Sequence, residues 1–139
     1  MQKTLETYIV KVEREPHSNR LLSVGYYNED GLLHRTGDEP ALVAYDPANN
    51  KPCLIQYAEN GQEHRIGGKP SYTEIDPASG FVWYERWFEN GEPRKNEVSV
   101  VERDVSTGEL RSVVRDMEGV QIEETFEGPS ALDEPTKEF

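Results

Sequence analysis

The chain has few of the features that mark secreted, membrane-spanning or cysteine-rich proteins. Its 139 residues include a single cysteine, Cys53, which excludes an intramolecular disulfide or a cysteine zinc cluster and favours a reducing compartment. No run of eighteen apolar residues occurs, and the opening residues Met1 to Glu6 lack the apolar segment of a signal peptide. We therefore expect a cytoplasmic protein that does not enter a membrane.

Sequence motifs of common enzymes are also missing. The chain has no Gly-x-Ser-x-Gly motif, no phosphate-binding glycine loop and no His-Glu-x-x-His pattern. Glu123 and Glu124 are adjacent, but neighbouring residues of a strand point to opposite faces, so they do not form an acid-base pair. If hairpins stack in register, His34 and His64 lie about 9.6 Å apart, too far to share one zinc ion. We predict no catalytic residues, no cofactor and no metal.

Basic residues are scarce relative to acidic ones. The chain has 15 lysines and arginines against 27 aspartates and glutamates, and a formal net charge of −12. Nucleic acids and anionic membranes are polyanions, so this charge disfavours both as direct ligands. The excess is uneven, because eight acids and one base lie between Asp116 and Phe139. A basic protein is therefore the expected partner.

A period of thirty residues is the strongest positive feature. Gly31, Gly61 and Gly91 share one offset, each follows Asp or Asn, and Gly119 comes 28 residues later. Three residues after the first three glycines come His34-Arg35, His64-Arg65 and Arg94-Lys95, and copy three loses two residues after Lys95. A fixed period of this length predicts stacked copies of one supersecondary unit.

Each copy contains two turns between strand-like runs. Asp-Gly or Asn-Gly suits a tight type I′ hairpin, whereas Asp46-Pro47, Asp76-Pro77 and Asp104 begin a longer turn, and Glu15-Pro16 resembles a partial first copy. The runs between turns are β-branched and aromatic, without a helical stripe. Aromatic residues at matching offsets are expected to stack as a ladder across hairpins: Tyr27, Tyr57 and Trp87.

These patterns predict an all-β fold, an antiparallel β-meander of about eight or nine strands built from three to four hairpin repeats. The sheet must bury one face, either by strong twisting or coiling or by folding into two layers, and the period does not choose between them. We expect a single repeat domain over residues 1–126. Residues 127–139, with two prolines and repeated charge, are predicted to form a flexible acidic tail.

Acidic residues recur beside both turns, and two interpretations remain open. One set contains Glu29, Glu59, Glu89 and Glu118 beside the tight turns, and the other contains Glu15, Asp46, Asp76 and Asp104 at the longer turns. Stacked copies would space these carboxylates by about 10 Å along both edges and present a negative field to a basic partner. Alternatively, they serve turn formation, since Asp favours turns through hydrogen bonds to nearby backbone.

The repeated motif carries a family resemblance. The order of aromatic residue, Asn-Gly, two residues, His-Arg, Gly and Pro, best matched from Tyr57 to Pro77 and from Tyr27 to Pro47, resembles the YwqK-type, MORN-like repeats of bacterial antitoxin-like and small phage proteins. The resemblance covers roughly Tyr26 to Gly119, and copy three departs from it by Arg94-Lys95 and its deletion. It implies β-hairpin repeats that bind or scaffold other molecules, and it brings no catalytic residues.

The sequence thus predicts a non-enzymatic protein-binding inhibitor, encoded by a phage or mobile element and acting in the host cell cytoplasm. Its expected action is to occlude the nucleic-acid-binding surface of a basic partner, such as a CRISPR effector or a nuclease. The alternatives are an antitoxin or immunity protein that covers a toxin, and a scaffold that forms homo-oligomers through its end strands. The candidate partner-binding residues are Glu89, Asp104, Asp116, Glu118, Glu123, Glu124, Glu127, Asp133 and Glu134.

Overall fold

The computed structural model describes residues 5–127, which form an all-β fold without a helix. The predicted class is therefore confirmed. Candidates Asp133 and Glu134, and the predicted tail apart from Glu127, lie outside the described residues. The strands are β1 Ile9–Arg14, β2 Leu21–Tyr27, β3 Leu42–Tyr45, β4 Pro52–Gln56, β5 Ala58–Glu59, β6 Gln62–Glu63, β7 Tyr72–Ile75, β8 Val82–Arg86, β9 Phe88–Glu89, β10 Glu92–Pro93, β11 Val98–Arg103, β12 Leu110–Met117 and β13 Val120–Thr125.

Nine of these strands form one antiparallel sheet in the order β1-β2-β3-β4-β7-β8-β11-β12-β13. The order follows the chain, as expected for a meander, and leaves β1 and β13 as the two edges. The remaining four strands pair as two short hairpins, β5 with β6 and β9 with β10. Each of these four has only two residues, which is too short for the alternation that predicts a strand from sequence.

The two short hairpins pack against the copy that precedes them in the chain. Backbone N–H groups of Arg35 and Gly61 connect the first copy to the β5–β6 hairpin, donating to Ala58 and Leu33 at 2.9 and 2.8 Å. The β9–β10 hairpin is held in the same way, since Arg65 donates to Phe88 and Gly91 donates to Glu63. A second, smaller set of backbone hydrogen bonds therefore runs alongside the main sheet.

The strand register assigns side chains to the two faces of the main sheet. Residues that are paired across an antiparallel sheet point to the same face. One such row, called the valine row here, crosses all nine strands and consists of Val12, Val24, Val43, Ile55, Thr73, Glu85, Val101, Val113 and Glu124. Its residues are apolar on the first four strands, and it ends in a carboxylate on β13.

Very few apolar side chains are fully buried. Among the described residues, only Ala41, Ala58 and Val113 are buried hydrophobic residues. Most strand residues are half-buried, which means that pairs of side chains on neighbouring strands, rather than a thick core, contribute much of the packing. Individual polar contacts between copies therefore contribute substantially to the stability of this fold.

One polar network lies between the β5–β6 hairpin and strand β8. The carboxylate of Glu63 pairs with the Arg86 guanidinium at 2.7 Å and accepts a hydrogen bond from the Ser71 hydroxyl at 2.8 Å. Ser71 is fully buried, and its hydroxyl also accepts a hydrogen bond from Phe88 N–H at 2.9 Å. The guanidinium of Arg86 stacks over the Tyr72 ring at 4.0 Å. Hairpin and sheet are thereby joined through one ion pair.

Candidate protein-binding surface

The four longer turns use their first acidic residue to hold the turn. Glu15, Asp46, Asp76 and Asp104 each accept backbone hydrogen bonds from residues two or three positions later. A backbone hydrogen bond also closes each turn: the N–H of the residue four positions later donates to the carbonyl of the acidic residue. These contacts favour the turn-forming interpretation for this set of acidic residues.

Asp104, a candidate from the sequence, is therefore already engaged. Its carboxylate accepts hydrogen bonds from the Ser106 hydroxyl at 2.7 Å and from the Arg111 guanidinium at 2.8 Å. These bonds, with that from Ser106 first, hold the pKa of Asp104 well below its usual range. An ion-paired carboxylate presents little free charge to a partner, so we leave Asp104 out of the proposed surface.

The tight turns correct the alignment of one acidic column. Both central residues of a type I′ turn need positive φ. This holds for Asn60-Gly61, for Asn90-Gly91 and for Glu118-Gly119, where Glu118 has φ 52. Glu118 thus occupies the position of Asn60 and Asn90, not the position of Glu59 and Glu89 to which the sequence analysis assigned it. At the first turn, Asp30 is not among the residues with positive φ, so only Gly31 takes that conformation.

Histidine side chains connect each tight turn to the next. The Nδ1 atoms of His34 and His64 accept hydrogen bonds from the N–H groups of Asn60 and Asn90, both at 2.9 Å. In the last copy an asparagine takes over this role, because the side-chain oxygen of Asn96 accepts the N–H of Glu118 at 2.9 Å. Within residues 5–127, no three His, Cys, Asp or Glu side chains are grouped to share a metal ion.

Replacing His64 by alanine is expected to lower the free energy of unfolding by about 1 kcal/mol, because the N–H of Asn90 loses its acceptor. His64→Asn is the matched control, since Asn96 shows that an asparagine oxygen can accept the equivalent bond. Urea unfolding of both variants measures the difference. Equal losses in the two variants would contradict a role for the acceptor atom.

Arginine stacking replaces the predicted ladder of aromatic rings. Arg35 lies over Tyr26 and Arg65 over Tyr57, each with its guanidinium carbon 3.8 Å from the ring centroid. The third pair is Arg94 over Trp87 at 5.0 Å. The predicted ladder is wrong in two respects: the first ring is Tyr26 rather than Tyr27, and, within residues 5–127, the three rings make no aromatic pair with one another. Each ring is instead covered by a cation of its own copy.

Asp116 lies inside the structure. It is 2% exposed, and its carboxylate accepts the backbone N–H groups of Asn96 at 2.9 Å and Gly119 at 3.3 Å. The side chain of Gln121 donates a third hydrogen bond to it. The bond from Asn96 is the main reason that the pKa of Asp116 falls below its ordinary value. Asp116 therefore holds the last turn together and is not accessible for direct contact with a partner.

Four of the other described candidates are exposed and lie at the end of the sheet. Glu118 is in the last tight turn, Glu123 and Glu124 are on opposite faces of β13, and Glu127 follows that strand. None of these four carboxylates forms an ion pair with another residue in the described part of the chain. Residues 116–127 contain no lysine or arginine. The segment from Asp116 to Glu127 is therefore purely acidic, whereas the preceding part of β12 carries Arg111 and Arg115.

Glu89 lies in a separate cleft of about 400 Å³ in the third copy. Glu92 and Glu97 line the same cleft, together with Lys95 and Arg94. Neither glutamate was predicted as a site residue, because neither recurs at a repeated offset in the sequence. Glu97 pairs with Arg94 at 3.7 Å, so it is left out of the proposed surface for the same reason as Asp104. The hydrogen bond between Asn96 and Glu118 joins this segment to the last hairpin, so the cleft and the hairpin are neighbours. The set is called the acidic surface here: Glu89, Glu92, Glu118, Glu123, Glu124 and Glu127.

A second cleft, of about 410 Å³, lies between two loops that follow His-Arg. Arg65 and Lys69 are among its lining residues, but Asp38 contacts both, at 2.8 Å and 3.7 Å. Glu39 and Glu59 add further negative charge to its lining. The basic side chains are thus balanced locally, which makes this cleft a weaker candidate than the acidic surface.

Comparisons with protein-family models, with curated proteins and with solved structures give no match for this chain. Within residues 5–127, no helix has the length and apolarity needed to span a membrane.

Proposed function

We propose that this protein is a non-enzymatic, acidic inhibitor that binds a basic, nucleic-acid-handling protein and occludes its nucleic-acid-binding surface. We further propose that the chain is a YwqK-type, MORN-like protein of phage origin. Its three to four hairpin repeats would form a strongly twisted or coiled sheet. The observation that carries the function is the acidic surface, where the carboxylates of Glu118, Glu123, Glu124 and Glu127 are exposed without ion-pair partners in the described chain.

The chemistry of the acidic surface favours lysine and arginine as contacts. Carboxylates and phosphates bind the same basic side chains, and arginine forms bidentate hydrogen bonds with either group. A partner that normally binds nucleic acid exposes several such side chains to contact the phosphates. Long-range attraction from several uncompensated carboxylates raises the rate of encounter, and the bound protein then excludes nucleic acid from the same site.

The quadruple variant Glu118→Gln, Glu123→Gln, Glu124→Gln and Glu127→Gln tests the proposal. We expect it to weaken binding by about tenfold or more, which corresponds to at least about 1.4 kcal/mol, because four attractive contacts become neutral. Candidate nucleic-acid-handling proteins from copurification provide the partner, and calorimetry together with competition by nucleic acid provides the measurement. Binding of the unmodified protein should weaken as salt is raised.

The matched control removes four charges elsewhere on the exposed surface: Glu29→Gln, Asp30→Asn, Glu39→Gln and Glu102→Gln. Both variants have the same net charge, so a general charge effect lowers both affinities equally. The proposal requires a clearly larger loss for the first variant. Equal losses, or binding that does not respond to salt, would contradict occlusion by the acidic surface.

An antitoxin-like function is the second candidate, and the free edge of β13 supports it. Phe126 N–H donates to Arg111 on the adjacent strand, so the alternate residues Gln121, Glu123 and Thr125 direct their backbone groups outward. A toxin could add a strand there. Under this alternative, Thr125→Pro abolishes binding by removing an outward N–H, whereas the quadruple glutamine variant changes it little.

A further inference from the structure

Strand β1 is an edge strand whose outward backbone groups can be identified. Tyr26 N–H donates to the carbonyl of Ala41, on the side of β3, so its neighbours Gly25 and Tyr27 face β1. Residues opposite these two, Lys11 and Ile9, therefore bond inward to β2. The alternate residues of β1 direct their N–H and carbonyl groups away from the sheet: Val10, Val12 and Arg14.

All six residues of β1 are exposed, including Val10 at 48% and Val12 at 51%. Unpaired backbone groups beside exposed apolar side chains form a template for another strand. Natural edges are often protected by charged side chains, especially lysine, by prolines, by bulges that twist the edge away or by inward-pointing charges. Strand β1 carries Lys11, Glu13 and Arg14, so only a register that places opposite charges against each other allows pairing. Strand β1 has no proline, and its only register shift lies at its end, between Glu13 and Arg14.

We propose that two copies of this chain associate through antiparallel pairing of β1 with β1 about a two-fold axis at Val12. In this register Val12 faces Val12 of the second copy, and Val10 faces Arg14. Outward backbone groups meet outward backbone groups at both pairs, so each copy donates and accepts in turn. The two-fold axis means that both copies use the same surface. The assembly therefore stops at a dimer instead of growing into a fibre.

Charge selects this register over its neighbours. Lys11 lies opposite Glu13 of the second copy, and the symmetry repeats the pair, so two attractive cross-strand pairs form in the narrow, non-hydrogen-bonded positions. A shift by two residues in one direction places Lys11 opposite Lys11. The opposite shift places Glu13 opposite Glu13. Like charges directly opposite each other are destabilising, so only one of these three registers is free of repulsion.

Contacts within the monomer hold both charged side chains on the correct face. Lys11 Nζ lies 4.6 Å from the centroid of the Tyr27 ring, and the Glu13 carboxylate accepts a hydrogen bond from Ser23 at 3.3 Å. On the other face, pairing of Val12 with Val12 makes the apolar half of the valine row continuous across the axis. The opposite edge, β13, ends that row with Glu124 and carries no basic residue.

Charge reversal tests the proposal in sedimentation velocity experiments across a concentration series. Lys11→Glu places two glutamates against each other, and Glu13→Lys does the same with two lysines, so either variant should raise the dimer dissociation constant about tenfold or more. The double variant Lys11→Glu with Glu13→Lys restores both attractive pairs and should dimerise like the original protein. A mixture of the two single variants should form a heterodimer in which both cross-strand pairs are attractive.

Val12→Pro provides an independent test of backbone pairing. The N–H of Val12 points outward, so proline removes a donor of the dimer without removing a hydrogen bond of the monomer. We expect a monomer with an unchanged circular dichroism spectrum. Glu123→Lys on β13 is the control and should leave the dimer intact.

Three results would overturn the proposal. A strictly monomeric unmodified protein would exclude the contact. A dimer unaffected by Lys11→Glu and Glu13→Lys would place the contact elsewhere, and so would a dimer lost through Glu123→Lys. The proposal is independent of the inhibitor function, because the acidic surface lies at the other end of the sheet.

Discussion

Replacing Glu63 by alanine is expected to lower the free energy of unfolding by about 3 kcal/mol, the lower end of the range for breaking a buried ion pair. The side chain of Glu63 is 10% exposed and that of Arg86 is 28% exposed, so the remaining guanidinium keeps only partial access to water. It would lie against the Tyr72 ring without its carboxylate. The buried Ser71 hydroxyl would also lose one of its partners.

The double variant Glu63→Ala with Arg86→Met separates the ion pair from general packing. If the loss comes from an uncompensated cation, removing Arg86 as well should recover part of it, and the coupling energy in the double-mutant cycle should exceed about 1 kcal/mol. Guanidinium unfolding of the original protein, of the two single variants Glu63→Ala and Arg86→Met and of the double variant measures this coupling energy. Additive losses would show that Glu63 and Arg86 act separately.

Replacing Asp116 by alanine is expected to cost about 3 kcal/mol, because the N–H groups of Asn96 and Gly119 and the amide of Gln121 lose a common acceptor inside the structure. Asp116→Asn retains an acceptor oxygen and should cost about 1 kcal/mol. Urea unfolding measures both values.

The same pair of variants distinguishes a structural role of Asp116 from a binding role. Asp116→Asn removes a negative charge from a residue that is 2% exposed, so partner affinity should stay unchanged while stability falls. A loss of affinity in the folded Asp116→Asn protein, comparable to that of the quadruple glutamine variant, would show that this carboxylate reaches the partner.

Turn chemistry was the most predictable part of the molecule. Asn-Gly and Asp-Pro are local patterns, and their turns follow from backbone preferences of a few residues. The long turns at Asp46 and Asp76 and the tight turns at Gly61 and Gly91 were accordingly predicted from the sequence, and the structure has them there. The all-β class followed from the same signals, because the runs between turns have no helical period.

Alignment within copies was less predictable, because turn length varies between them. In the first copy, Asn28 N–H bonds to Leu32 across a longer turn, so counting back from Gly31 reaches Tyr27 where the structure uses Tyr26. In the third copy, Arg94 stacks on Trp87 from the position that His64 has in the second copy. A fixed offset cannot represent such one-residue shifts.

Accessibility of single carboxylates was also beyond the sequence. Asp116 and Glu118 are two residues apart in an equally acidic segment, yet one is buried and the other is exposed. The difference depends on Asn96, 20 residues earlier, whose backbone N–H reaches Asp116 and whose side chain reaches Glu118. Local composition contains no information about such a contact.

The agreement between strand order and chain order has a consequence for how this protein can change in length. Every strand of the main sheet pairs with the strand of that sheet that comes next in the chain, and the described sheet ends at β1 and β13 instead of closing on itself. Closed barrels tie strand number to diameter, whereas an open meander has no such constraint. Insertion or deletion of whole units inside the chain therefore requires new contacts only at the two junctions, while the end strands can retain their specialised charges.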